Sequence, residues 1–130
     1  MLNRFYHYLF LFSLIGILNA DRLSAESAPY SITLSLRAPD AGWKVKIVEI
    51  RDSGKEWWVV ARLNRRPGPA SQTITEVRDE VIVTSPNRPL KVFVLGKTWK
   101  WQNAEPYVFV EKEAELESRL PKTKIAFSRK

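Results

Sequence analysis

The stretch WKVKIVEIRDSGKEWWVVARL, residues 43–63, decides the fold. Trp43, Val45 and Ile47 fall on one side of an extended chain with Lys44 and Lys46 opposite, which predicts a half-buried strand. At Val48 and Ile50 the apolar phase changes sides. A β-bulge produces such a switch, and so does burial of both faces at the strand's end. Arg51-Asp52-Ser53-Gly54-Lys55 reads as a hairpin loop with glycine at the left-handed position. On the return, Trp57, Val59, Ala61 and Leu63 share one face while Trp58 and Val60 occupy the other. A strand apolar on both faces is expected at the centre of its sheet.

The same texture extends outward in both directions. Ile32, Leu34 and Leu36 alternate with Thr33, Ser35 and Arg37 before the turn Pro39-Asp40-Ala41-Gly42. Downstream, residues 64–72 carry Pro67, Gly68 and Pro69 and form a loop. Residues 73–84 alternate again, with Arg78-Asp79-Glu80 a candidate turn that would divide them into two short strands. Residues 90–95 and 107–110 are further strands, and residues 97–102 are a candidate continuation. Residues 111–120 are helical by the four-residue spacing of Glu111 to Glu115 and of Leu116 to Leu120. Pro121 ends that segment, and a cationic tail with Ile125 and Phe127 follows. Short strands punctuated every 8 to 12 residues define an all-β class. The expectation is a single Ig-like β-sandwich or small barrel of about seven strands, with a short C-terminal helical segment.

Residues 1–25 have the form of a secretory signal peptide. Arg4 lies in a polar start, residues 5–18 form an apolar run containing His7, and small residues offer cleavage after Ala20 or Ala25. The run falls short of the roughly 20 apolar residues of a spanning helix. The expected organisation is therefore a signal over 1–25 and one domain over 26–130, secreted or periplasmic, with membrane contact only through an uncleaved signal. The chain has no cysteine, and removing the signal removes its single histidine. The mature protein then lacks the residues behind most nucleophilic, general-base and zinc chemistry, so no enzyme, metal or cofactor is expected. Asp40, Asp52, Asp79 and Glu80 fall in expected turns, where acids serve the backbone. The alternating Glu111, Glu113, Glu115 and Glu117 read as a solvated face.

Charge narrows the partner. The chain carries 21 Lys and Arg against 14 Asp and Glu. Arg4, Arg22 and Asp21 leave with the first 25 residues, so 19 stand against 13, a net +6. That balance favours acidic protein faces, lipid head groups or anionic wall polymer, with nucleic acid the weakest match for an exported protein. Asn64-Arg65-Arg66-Pro67-Gly68-Pro69 is a stiff cationic loop that would present its arginines at low entropic cost. Gly96-Lys97-Thr98-Trp99-Lys100-Trp101 places Lys97, Trp99 and Trp101 on one face when extended. That arrangement suits a platform for sugar rings or bases, and equally a pair of core tryptophans.

Residues 39–47, Pro39-Asp40-Ala41-Gly42-Trp43-Lys44-Val45-Lys46-Ile47, resemble the Pro-x-x-Gly-aromatic turn and strand of two families of exported β-sandwich. The C-terminal domain of PrcB-type proteins, associated with stabilising a secreted protease complex, is the nearer of them. Its strand–hairpin–strand is matched by residues 45–63, and its Pro-Gly loop with a Thr-rich strand is similar to Pro67-Gly68, Gln72, Thr73 and Thr75. The resemblance covers residues 37–84. Chagasin-like inhibitors of cysteine proteases are the more distant likeness: their Gly-rich second loop is missing, and Leu90 follows Arg88-Pro89 where that family places an aromatic residue.

The resemblance implies a noncatalytic exported module that binds another exported protein, a protease among the candidates. Asp40, Trp43, Arg65, Arg66 and Pro67 are the expected contact residues. The alternative is a cell-wall or glycan binder using Lys97, Trp99 and Trp101. A structural subunit associating through a sheet edge is the third reading.

Overall fold

The structure is a computed structural model in which residues 29–84, 87–120 and 124–129 are described. Ser31–Val83 and Arg88–Lys130 form one compact unit. The other unit, Met1–Tyr30 with Thr84–Asn87, falls almost wholly outside the described residues, as does the expected signal over 1–25. The fold is all-β and sandwich-like with one short helix. Its strands are β1 (Pro29–Ala38), β2 (Trp43–Asp52), β3 (Trp57–Arg65), β4 (Thr75–Thr84), β5 (Leu90–Leu95), β6 (Val108–Val110) and β7 (Lys124–Ser128). The helix α1 (Glu113–Arg119) lies between β6 and β7. Five strands form a sheet in the order β6-β5-β3-β2-β7, and β1 pairs with β4 in a second sheet.

The hairpin between β2 and β3 follows from its loop chemistry. Asp52 Oδ1 accepts the Gly54 N–H at 2.7 Å, and Ser53 Oγ accepts the Glu56 N–H at 3.0 Å. Gly54 sits at φ 86°, in the left-handed region. The register runs from Trp43 opposite Arg65 to Asp52 opposite Trp57, and slips between Ile47 and Glu49. The bulge at Val48 is the cause of the apolar phase switch. Ile47 and Ile50 both point into the core across it, while Val48 packs on the opposite face.

Strand β3 is central and buried on both faces. Trp57, Val59, Ala61 and Leu63 join the buried residues of β1 (Ile32, Leu34, Leu36) and β4 (Val77, Val81, Val83) in facing the space between the sheets. Val60 points the other way, into a second cluster with Phe93, Leu95, Val110, Leu116 and Leu120. Trp58 stacks on Phe93 there with centroids 5.1 Å apart. The helix closes this cluster through Leu116 and Leu120, one turn apart. Its glutamates face solvent, where Glu115 pairs with Arg119 at 3.1 Å and Glu113 with Arg62. Each fully buried apolar side chain contributes about 1.5–3 kcal/mol.

The fold departs from the sequence expectation at three places. No turn divides β4: Asp79 takes an inward position, where its carboxylate accepts the Ile47 N–H at 2.7 Å and pairs with Arg129. The acid is spent on the backbone of β2 at the bulge, so the strand continues through it. The cationic tail is a strand, β7, antiparallel to the second half of β2. Arg129 clasps it, donating Nε to the Ile47 carbonyl and its own N–H to the Val48 carbonyl, both at 2.9 Å. Residues 97–102 do not continue β5 as a strand. Since β5 and β6 are parallel, the chain must cross over between them, and residues 96–107 are that connection. Gly96 begins it at φ 97°.

The crossover also covers an edge. The Tyr107 hydroxyl accepts the Ser35 N–H at 3.3 Å and donates to the Ser35 carbonyl at 3.0 Å. Glu105 Oε1 accepts the Arg37 N–H, and Asn103 Nδ2 donates to the Arg37 carbonyl, both at 2.8 Å. Alternate side chains of the crossover thus take the place of a neighbouring strand along β1.

Candidate functional site

The turn between β1 and β2 is built around Asp40. Its Oδ1 accepts the Gly42 N–H at 2.7 Å, and its Oδ2 accepts Arg65 Nε at 3.1 Å. The Gly42 N–H holds the carboxyl below the usual aspartate range, against an opposing effect of burial, and the Arg65 guanidinium adds to the lowering. The Trp43 indole N–H lies close enough to contribute slightly while stopping short of hydrogen-bond geometry.

Arg65 ties this turn to the loop that follows β3. Its Nη1 donates to the carbonyls of Arg66 at 3.1 Å and Gly68 at 3.3 Å. Backbone bonds complete the seam: Arg66 N–H to the Gly42 carbonyl and Ala41 N–H to the Ser71 carbonyl, both 3.0 Å. The turn at 39–42 and the loop at 64–71 therefore lie at one end of the domain as a single cross-bonded unit. Asp40 and Arg65 act as its fastening. Arg66, Pro67 and Pro69 stay exposed on it.

Trp43 joins this unit to the crossover. Its ring is 8 % exposed, so it supports the surface from beneath and offers little of itself for contact. Trp99 meets it edge-on, with centroids 5.1 Å apart at 77°, and Trp101 lies 5.5 Å beyond Trp99. This ladder of three indoles runs from the core to Trp101, which is 38 % exposed. Trp99 is locked by its Nε1, which donates to Asn103 Oδ1 at 2.9 Å. The residue sets assigned to protein contact and to glycan contact by sequence are thus brought together at one end.

Lys97 occupies the aromatic faces beside the ladder. Its ammonium stands 5.6 Å from the Trp99 centroid and 4.7 Å from that of Phe109, and donates to the Trp101 carbonyl at 2.7 Å. A cleft of about 380 Å³ opens here, lined by Lys97, Thr98, Trp99, Lys100, Phe109 and Glu111 among others. Lys100 stood in the singled-out hexapeptide without a role, and Phe109 lay outside it. Phe109 reaches the site through the parallel pairing of β5 with β6, which no local pattern announces. Asn103, Glu105 and Tyr107 were equally missed, and their period-two spacing was the signal on offer. Among the described residues no group of three His, Cys, Asp or Glu side chains is placed to hold a metal ion. No helix among them is long and apolar enough to cross a membrane.

Comparison with known proteins returned no matching family model, no matching curated protein and no matching solved structure.

Proposed function

We propose that this chain is an exported, noncatalytic module that binds another exported protein through the end carrying the 39–42 turn, the 64–71 loop and the tryptophan ladder. One observation carries the reading: the cross-bonding by Asp40, Arg65 and two backbone hydrogen bonds, which holds Arg66 and Pro67 out on a preformed surface. A surface already rigid before binding loses little entropy on association, and arginine and an exposed tryptophan are the residue types of interface hot spots. The resemblance of residues 37–84 to PrcB-type domains makes a secreted protease the first partner to test. Sugar stacking is the weaker reading, because Lys97 already stands over the Trp99 ring and would have to be displaced.

The test is capture from native envelope and culture fluid by the tagged chain, with retained material identified by mass spectrometry. A stoichiometric protein partner retained by wild type and lost on Arg66→Ala supports the proposal. Retention of wall polymer, released by glycan digestion, refutes it.

A further inference from the structure

We propose that the cleft between Lys97, Lys100 and Phe109 receives a carboxylate side chain from an acidic, extended segment of the protein partner. This rests on the protein-binding reading above and names the chemistry of what is bound. Lys97 is held in place before any ligand arrives, by the Trp101 carbonyl at 2.7 Å and the rings of Phe109 and Trp99. An ammonium has three donors. One is committed to Trp101, which leaves two for an incoming anion. Thr98 adds a hydroxyl and Lys100 a second cation on the rim, while Glu111 is the single acid of the lining.

Charge complementarity selects the occupant. Among the described residues neither Lys97 nor Lys100 is in an ion pair, and neither is Arg66 on the adjoining loop. Of the neighbouring acids, Asp40 is paired with Arg65 and Glu105 accepts the Arg37 backbone N–H, so Glu105 and Glu111 are the two acids set against Lys97, Lys100 and Arg66. This end therefore presents unbalanced positive charge. The cleft, at about 380 Å³, stands at the small end of ligand sites, which run from roughly 300 to 1,000 Å³. That volume admits one or two side chains. Exposed indole at Trp101 gives an apolar neighbour of the acid something to pack on. A sugar ring meets Trp99 and Phe109 with the same ammonium already standing over one face of each.

The experiment titrates the chain with a blocked decapeptide carrying four Glu residues, and with the same peptide carrying Gln, following tryptophan emission and heat. The Glu peptide is expected to bind with an affinity that falls as salt rises, and the Gln peptide to bind at least about tenfold more weakly. Lys97→Met and Lys100→Glu should each weaken the Glu peptide by a similar factor. Lys100 is exposed, so its variant keeps the test sharp if Lys97→Met fails to fold. Equal binding of the two peptides, or unchanged binding by a folded Lys100→Glu chain, overturns the proposal. Tighter binding of an oligogalacturonate than of the Glu peptide overturns the choice of occupant. A protein partner still captured by the Lys97→Met and Lys100→Glu chains refutes the cleft while leaving the proposed function standing. Failure of the wild type to capture any protein removes both.

Discussion

Replacing Gly96 by alanine tests how closely the crossover is threaded against the central strand. Gly96 leaves β5 at φ 97°, and a Cβ placed there would stand 2.5 Å from the Leu63 carbonyl oxygen of β3. Gly54, at φ 86°, has nothing within 4 Å of the same position and serves as the control. Both alanines carry the left-handed backbone penalty, about 1–2 kcal/mol. Only Gly96→Ala adds a steric conflict, and it does so with the backbone of a strand buried on both faces, which has no rotamer to move. Overpacking of that kind costs about 1–3 kcal/mol. The expected losses are therefore about 1–2 kcal/mol for Gly54→Ala and about 2–5 kcal/mol for Gly96→Ala. For a domain near this size an excess of about 2 kcal/mol lowers Tm by roughly 10 °C. Urea unfolding followed by tryptophan emission reads both variants, with an unchanged m-value confirming that stability alone has altered. Gly96→Ala should also shift the native emission, because Trp99 and Trp101 hang from the displaced segment. Equal losses for the two variants would refute the close approach of the crossover to Leu63.

Three further expectations follow from the hydrogen-bond geometry. Asp79→Ala strips the acceptor from the Ile47 N–H and the partner from Arg129, so a loss of about 1–3 kcal/mol is expected; Asp79→Asn, which keeps an acceptor, should lose less, with chemical denaturation comparing the two. The Asp40 carboxyl is lowered in the fold, so its stabilisation is fully present above the ordinary aspartate pKa of about 3.9 and is lost as pH falls through the lower folded value. The turn should then stay closed at pH 4, and Asp40→Asn should abolish this acid step when Trp43 and its neighbours are followed by NMR. Tyr107→Phe removes the hydroxyl that serves both backbone groups of Ser35, and sedimentation velocity should show self-association through β1 that the wild type lacks.

Local pattern carried the reading of the strands a long way. Residues 43–63 announced a hairpin, a switch of phase and a central strand, and each is present because alternation and turn chemistry act over a few residues. Asp79 shows where such reading stops. A charge triplet within an alternating run resembles a turn until a distant backbone donor at Ile47 claims the carboxylate. The tail failed for a similar reason, since Ile125 and Phe127 become a strand only because the second half of β2 offers an unpaired edge.

The candidate site divides the same way. Sequence singled out Asp40, Trp43, Arg65, Arg66 and Pro67 on one side and Lys97, Trp99 and Trp101 on the other, as separate and competing sets. Residue type marked most of them, cation and proline in a short loop, indole and lysine in alternation, while Asp40 and Trp43 came from the resemblance of their turn. Their union required the parallel pairing of β5 with β6, which sends residues 96–107 across the end of the domain and sets Trp99 against Trp43. The tertiary structure also decided which of these residues face outward. It buries Trp43, commits Asp40 and Arg65 to each other, and leaves Arg66, Lys100 and Trp101 exposed. Alternation and turns are determined between neighbours in the chain and can be read there. Which side chains remain available depends on contacts between segments tens of residues apart, and those exist only once the sheets have closed.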